Sequence, residues 1–126
     1  MLRKKEKGFT LVEVIVVAVI VAVLAAVAIP LYIGYINDAN KNAAENAAGS
    51  FASTLAACRN AMCNTQSTPP ASLAAGGIWS ANTPSGQLIS FTSPLGVNIT
   101  VTGSGSWGGG TVNATKGGFA SINYSW

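Results

Sequence analysis

An apolar run without one polar side chain occupies residues 14–29, and a glutamate, Glu13, stands at its beginning. No other feature limits so strongly what this chain can fold into. Extended back to Phe9 and on to Ile36, the stretch is 28 residues long. As a helix rising ~1.5 Å per residue it spans about 42 Å, more than the ~30 Å hydrocarbon core of a bilayer. Much of it is valine and isoleucine, which is tolerable in lipid because packing there outweighs intrinsic helix propensity. Residues 1–7 are short and basic, and the positive-inside rule keeps such a segment on the cytoplasmic side. A carboxylate within an apolar segment costs a few kcal/mol on insertion scales, so Glu13 needs a partner or a reason to be there.

Pro30 lacks an amide hydrogen and clashes with the preceding turn, which predicts a kink or a melted stretch over residues 26–30. Gly34 is a further weak point. Beyond Ile36 the polar sequence Asn37-Asp38-Ala39-Asn40-Lys41-Asn42 marks the exit from the apolar layer. Ala44, Ala48, Phe51, Leu55, Cys58 and Met62 then recur at steps of four and three, the spacing of one face of an amphipathic helix. We expect a single helix from about Thr10 to about Ala61, its first half an anchor and its second half the spine of a head.

The bulk properties bound the rest. A chain of 126 residues allows one domain, and only about 90 remain for a soluble part, whose core must be small. Of the seven lysines and arginines, four lie in the first eight positions. Without the leader, Lys41, Arg59 and Lys116 balance Glu13, Asp38 and Glu45, so the basic character belongs to the leader and implies no nucleic-acid site. Histidine is absent, which removes the commonest general base and metal ligand. The acids are scattered, and no serine or cysteine has a base in view. Neither catalysis nor a cofactor or metal is expected.

Cys58 and Cys63 fit an exported protein that carries one disulfide. In an undistorted helix a separation of five aims the side chains to different sides. If the two pair, the helix must end or loosen between Arg59 and Cys63. Thr68-Pro69-Pro70 ends helical structure and opens a loop to about Gly86. Residues 87–92 are apolar and β-prone. Val97, Ile99 and Val101 alternate with Asn98, Thr100 and Thr102. Residues 111–115 are expected to pair with 119–126 across Lys116-Gly117-Gly118, with Ala120, Ile122, Tyr124 and Trp126 on one face. The glycine-serine stretch 103–110 lacks the lysine and helix signal of a phosphate cradle and reads as an exposed loop. Asn98-Ile-Thr100, Asn113-Ala-Thr115 and Asn123-Tyr-Ser125 match the N-glycosylation pattern, although chance matches are expected in so Asn- and Thr-rich a segment. The expected fold class is α+β: one long N-terminal helix with a three- or four-stranded antiparallel sheet on its second half.

Lys7-Gly8-Phe9-Thr10-Leu11-Val12-Glu13 and the apolar run behind it resemble the class III signal and N-terminal helix of type IV pilins and of the related pseudopilins of type II secretion. The resemblance covers residues 7–35. It implies that a prepilin peptidase cuts between Gly8 and Phe9 and that Phe9 becomes N-methylated. It also implies that Glu13 pairs with the N-terminal amine of a neighbouring subunit. The chain would then comprise a leader (residues 1–8), an anchor and filament-core helix (9–36) and a head (37–126) whose helical part runs to about residue 62. The partners so implied are further copies of the chain, the peptidase, a pilus assembly platform and, before assembly, the bacterial inner membrane, with the head outside the cytoplasm. Adhesion, twitching motility and DNA uptake are the family's usual outputs.

Two other readings stand beside the pilin. Pseudopilins resemble the chain in length but usually bind calcium through acids late in the head, and no Asp or Glu follows Glu45 here. A secreted binding module would use residues 1–28 as an ordinary signal peptide, cut after Ala28.

Overall fold

The computed structural model describes residues 8–63, 69–103 and 107–126. The basic leader to Lys7, Thr68 of the expected helix stop and positions 104–106 of the glycine-serine loop lie outside the described residues. The described chain divides into two compact units, one ending at Ile36 and the other comprising Asn37–Trp126.

One helix, α1, spans Leu11–Asn60. Residues 26–30 are helical, so the expected melted stretch does not occur, and Pro30 lies within continuous helix. In the first unit every large apolar side chain from Phe9 to Ile36 is exposed.

In the second unit the helix face read from the sequence is the buried one. Ala44, Ala48, Phe51, Leu55 and Cys58 are all 0% exposed. Met62 departs from that face and is 79% exposed. The reason is that the helix has already stopped. Met62 N–H donates to Arg59 O at 3.2 Å and Cys63 N–H donates to Cys58 O at 3.0 Å, the paired bonds of a Schellman ending. Met62 holds the left-handed position of that motif, at φ 54°.

Two antiparallel sheets complete the unit. The larger contains β1 (Ser72–Leu73), β4 (Asn98–Thr102), β5 (Thr111–Lys116), β6 (Phe119–Ala120) and β7 (Tyr124–Ser125). Its order is β1-β4-β5-β6, with β7 also paired to β5. The smaller is a ribbon of β2 (Ile78–Asn82) and β3 (Leu88–Thr92). In outline this is the expected α+β arrangement of a long helix and a C-terminal antiparallel sheet, but the strand pairing differs from a simple meander. β3 pairs backward with β2, Trp79 opposite Phe91, rather than forward with β4. The segment expected to be loop up to Gly86 thus holds two strands. Ile78-Trp79-Ser80-Ala81-Asn82 does alternate, and its burial alternates with it. The turn back begins at Thr83, whose N–H donates to Gln87 O at 2.9 Å.

The last strand is also broken. Ser121 N–H donates to Ala114 O at 2.7 Å, and Ser121 Oγ accepts from Ala114 N–H at 2.9 Å. Both backbone groups of Ala114 are spent on one residue, which interrupts the ladder between β6 and β7. The four residues expected on one face therefore separate: Trp126 is buried while Ile122 is 65% exposed. The expected turn between β5 and β6 is present. Gly117 and Gly118 have φ of 57° and 86°, the two positive values that a tight two-residue hairpin needs.

Helix and sheets share one core. Phe51 is its centre, with its ring 4.7 Å from Phe91 and 5.8 Å from Trp79. Val97, Ile99, Val101, Val112 and Ala114 line it from the larger sheet. The Tyr124 ring packs over Gly49, where a Cβ would lie 3.4 Å from it, in ordinary contact.

Candidate functional site

Local sequence sets how α1 begins. Thr10 accepts from Glu13 N–H through Oγ1 at 3.3 Å. Glu13 Oε2 accepts in turn from Thr10 N–H at 2.9 Å and from Thr10 Oγ1–H at 2.8 Å. This is a capping box, with threonine at the N-cap and glutamate three residues on. Val14 N–H donates to Thr10 O at 3.4 Å, the first bond of the helical ladder. Thr-x-x-Glu followed by an apolar run is the sequence signature of this cap, so the role of Thr10 was legible and was missed.

The cap gives Glu13 a local reason to stand beside an apolar segment. A helix N-terminus has orphan amide donors, and a carboxylate there satisfies one of them while complementing the helix dipole. Among the described residues Oε2 carries every hydrogen bond to this carboxylate, and Oε1 carries none. Phe9, Val12, Glu13, Val14, Val16 and Val17 line one open groove, in which Glu13 is the ionisable group among the described residues.

Gly8 and Phe9 precede the helix and are exposed, with Phe9 at 89%. A Cβ added to Gly8 would meet nothing within 4 Å. Gly8, Phe9, Thr10 and Glu13 are thus together at one accessible helix start. Pro30 is remote from them along the helix. The helix is long and apolar enough to cross a membrane, and its most apolar window is wholly unburied.

The other expected site residues lie in the second unit. Cys58 and Cys63 are disulfide-bonded, with Cα atoms 5.2 Å apart. The helix ends between them, as such a pair requires. Asn98 sits on β4, and its Oδ1 accepts from Ala75 N–H at 3.1 Å. Asn113 donates through Nδ2 to Ser121 O at 2.6 Å and to Asn123 Oδ1 at 3.3 Å. A glycan on Asn113 would take one of the two Nδ2 hydrogens and so break at least one of these bonds. Among the described residues no group of three or more His, Cys, Asp or Glu side chains could hold a metal ion.

In comparison with known families, residues 3–29 fit the model described as the prokaryotic N-terminal methylation motif. No curated protein and no solved structure matches the chain.

Proposed function

We propose, from the class III signal of type IV pilins and pseudopilins carried at residues 3–29, that this chain is a pilin, the structural subunit of a type IV pilus. Prepilin peptidase cleaves between Gly8 and Phe9, Phe9 is methylated, and the anchor holds the subunit in the inner membrane with its head outside. The assembly platform then draws subunits into a helical filament, where anchors bundle in the core and heads face solvent. Pro30 bends the anchor as it packs there.

The observation that carries this reading is Glu13 at the start of a helix whose large apolar side chains are all exposed as far as Ile36. Exposed apolar surface on this scale has to be covered. Lipid covers it before assembly and neighbouring anchors cover it afterwards. A carboxylate buried in that core needs an opposite charge, and cleavage after Gly8 creates one on Phe9. The pairing of Glu13 with a neighbour's amine contributes less to net energy than to axial register, because desolvation offsets much of the attraction.

Mass spectrometry of filaments sheared from the cell surface tests the reading. An N-methylated Phe9 start supports it. A start at Ile29, or absence from every surface filament, overturns it. Assembly only into a fibre confined to the envelope, with loss of protein secretion on deletion, would select the pseudopilin instead.

A further inference from the structure

The second unit has two distinct ends, fixed by where its turns meet the helix. A Cβ built on Gly117 would lie 2.6 Å from Asn40 Nδ2, so the β5–β6 turn sits on α1 at Asn40. A Cβ built on Gly109 would lie 3.0 Å from Arg59 Nη1, which places the approach to β5 at the far end of α1. The β3–β4 turn shares the Asn40 end, because a Cβ on Gly96 would lie 3.6 Å from Lys116 Cε. The start of β2 is there as well: Ser93 N–H donates to Gly77 O at 2.8 Å.

This end carries exposed apolar side chains beside lysines. Leu95 is 83% exposed and Ile78 is 71% exposed. Lys116 closes β5, and Lys41 follows Asn40 on the helix. Asp38 and Glu45 flank them in sequence, so the lysines balance the acids and act by direct contact rather than by long-range attraction. Asn40 is four residues past Ile36, where the apolar run ends. At no more than ~3.6 Å per residue, Asn40 lies within about 14 Å of that point in any orientation of the head. An anchor set in a bilayer therefore brings this rim within reach of the headgroup layer. Apolar side chains flanked by lysines suit that layer: the apolar groups enter the acyl boundary, and the ammonium groups reach phosphate on their long stems. The covalent tether holds the rim at high effective concentration, so a weak contact suffices. We propose that the rim of Leu95, Ile78, Lys116 and Lys41 docks the head on the phospholipid surface of the membrane that holds the anchor, fixing the tilt of the head before assembly.

The proposal rests on the reading of residues 9–36 as a membrane anchor. The experiment places the full chain in nanodiscs of phosphatidylethanolamine and phosphatidylglycerol that include a gadolinium-chelate headgroup lipid. Nuclear magnetic resonance then reads the relaxation enhancement of each backbone amide. Wild type is compared with Leu95→Ser/Lys116→Gln, with Lys41→Gln on the exposed helix surface, and with Leu88→Ser at the opposite end of the ribbon. The enhancement falls as the sixth power of distance, and five-residue strands separate the two ends by roughly 17 Å, so Gly96 and Gly117 should exceed Leu88 by more than about tenfold. Leu95→Ser/Lys116→Gln should lower the enhancement at Gly96 and Gly117 by about fivefold, as a retreat of roughly one headgroup layer produces at such distances. Lys41→Gln should give a smaller drop in the same direction, and Leu88→Ser should give none. Unchanged core amides at Val112 and Ala114 show that each variant is folded. Equal enhancement at the two ends overturns the docking. So does an unchanged contrast in Leu95→Ser/Lys116→Gln, since the tether alone then sets it. A chain that does not enter the discs overturns the anchor reading instead.

Discussion

Cys58 and Cys63 are bonded across the end of the helix, at the two positions that the Schellman ending brings together. Cys63 N–H donates to Cys58 O at 3.0 Å, and in this motif an apolar contact between the same two residues commonly accompanies that bond. Here a covalent bond takes the place of the contact, and both residues are buried. The disulfide therefore secures a helix stop rather than joining distant parts of the head.

A ring of six residues restricts the unfolded chain only slightly. Replacing both cysteines by serine should lower the stability of the head by about 2 kcal/mol, the small-loop end of the range for disulfides. Denaturant unfolding of the detergent-solubilised chain, with and without reductant, measures this. A loss well above that value would mean that the bridge organises more than the helix end.

Met62 carries the strain of the same stop. A non-glycine residue in the left-handed region costs roughly 1–2 kcal/mol, partly offset in a glycine by its larger loss of backbone freedom. Met62 is exposed, so removing its side chain opens no cavity. Met62→Gly should raise stability by about 0.5–1 kcal/mol, read as a higher denaturation midpoint at unchanged slope.

Phe51 stands at the other extreme. Its ring is 0% exposed and meets both Trp79 and Phe91 of the β2–β3 ribbon. Phe51→Ala should cost about 3–5 kcal/mol, a large part of the stability of so small a core. Near-UV circular dichroism should lose the tryptophan bands while the anchor keeps its far-UV helix signal. Retention of those bands would show that the ribbon packs without Phe51.

Gly8 separates recognition from folding. A Cβ there meets nothing within 4 Å among the described residues, so Gly8→Leu should leave the fold unchanged. If the residue before the cut must be small to enter the peptidase, the variant should accumulate in the membrane with its leader attached. Intact-mass analysis reads the difference directly, and normal cleavage of Gly8→Leu would place the cut elsewhere.

Much of the α1 unit was legible because its determinants are local. The anchor follows from an uninterrupted apolar run, the head face of the helix from a spacing of three and four, and the hairpin at Gly117-Gly118 from two adjacent glycines. The capping box is equally local, written in Thr10 and Glu13 as Thr-x-x-Glu before an apolar run. The paired cysteines implied a helix end between them, but not that Met62 would leave the core face by turning left-handed.

What only the tertiary structure decided is which strand meets which. Residues 87–92 have the same β-prone pattern whether they pair with the segment before or after them. The choice fell to β2 because Trp79 and Phe91 then close together over Phe51, a helix residue 28 positions before Trp79 and 40 before Phe91 in sequence. Likewise Ser121 reads as an ordinary strand residue until its hydroxyl is seen on the amide of Ala114. Helix periodicity and tight turns are written in neighbours along the chain, so this sequence determined them by itself. Ladder partners and shared burial depend on residues brought together only by the fold, and no local pattern carries that information.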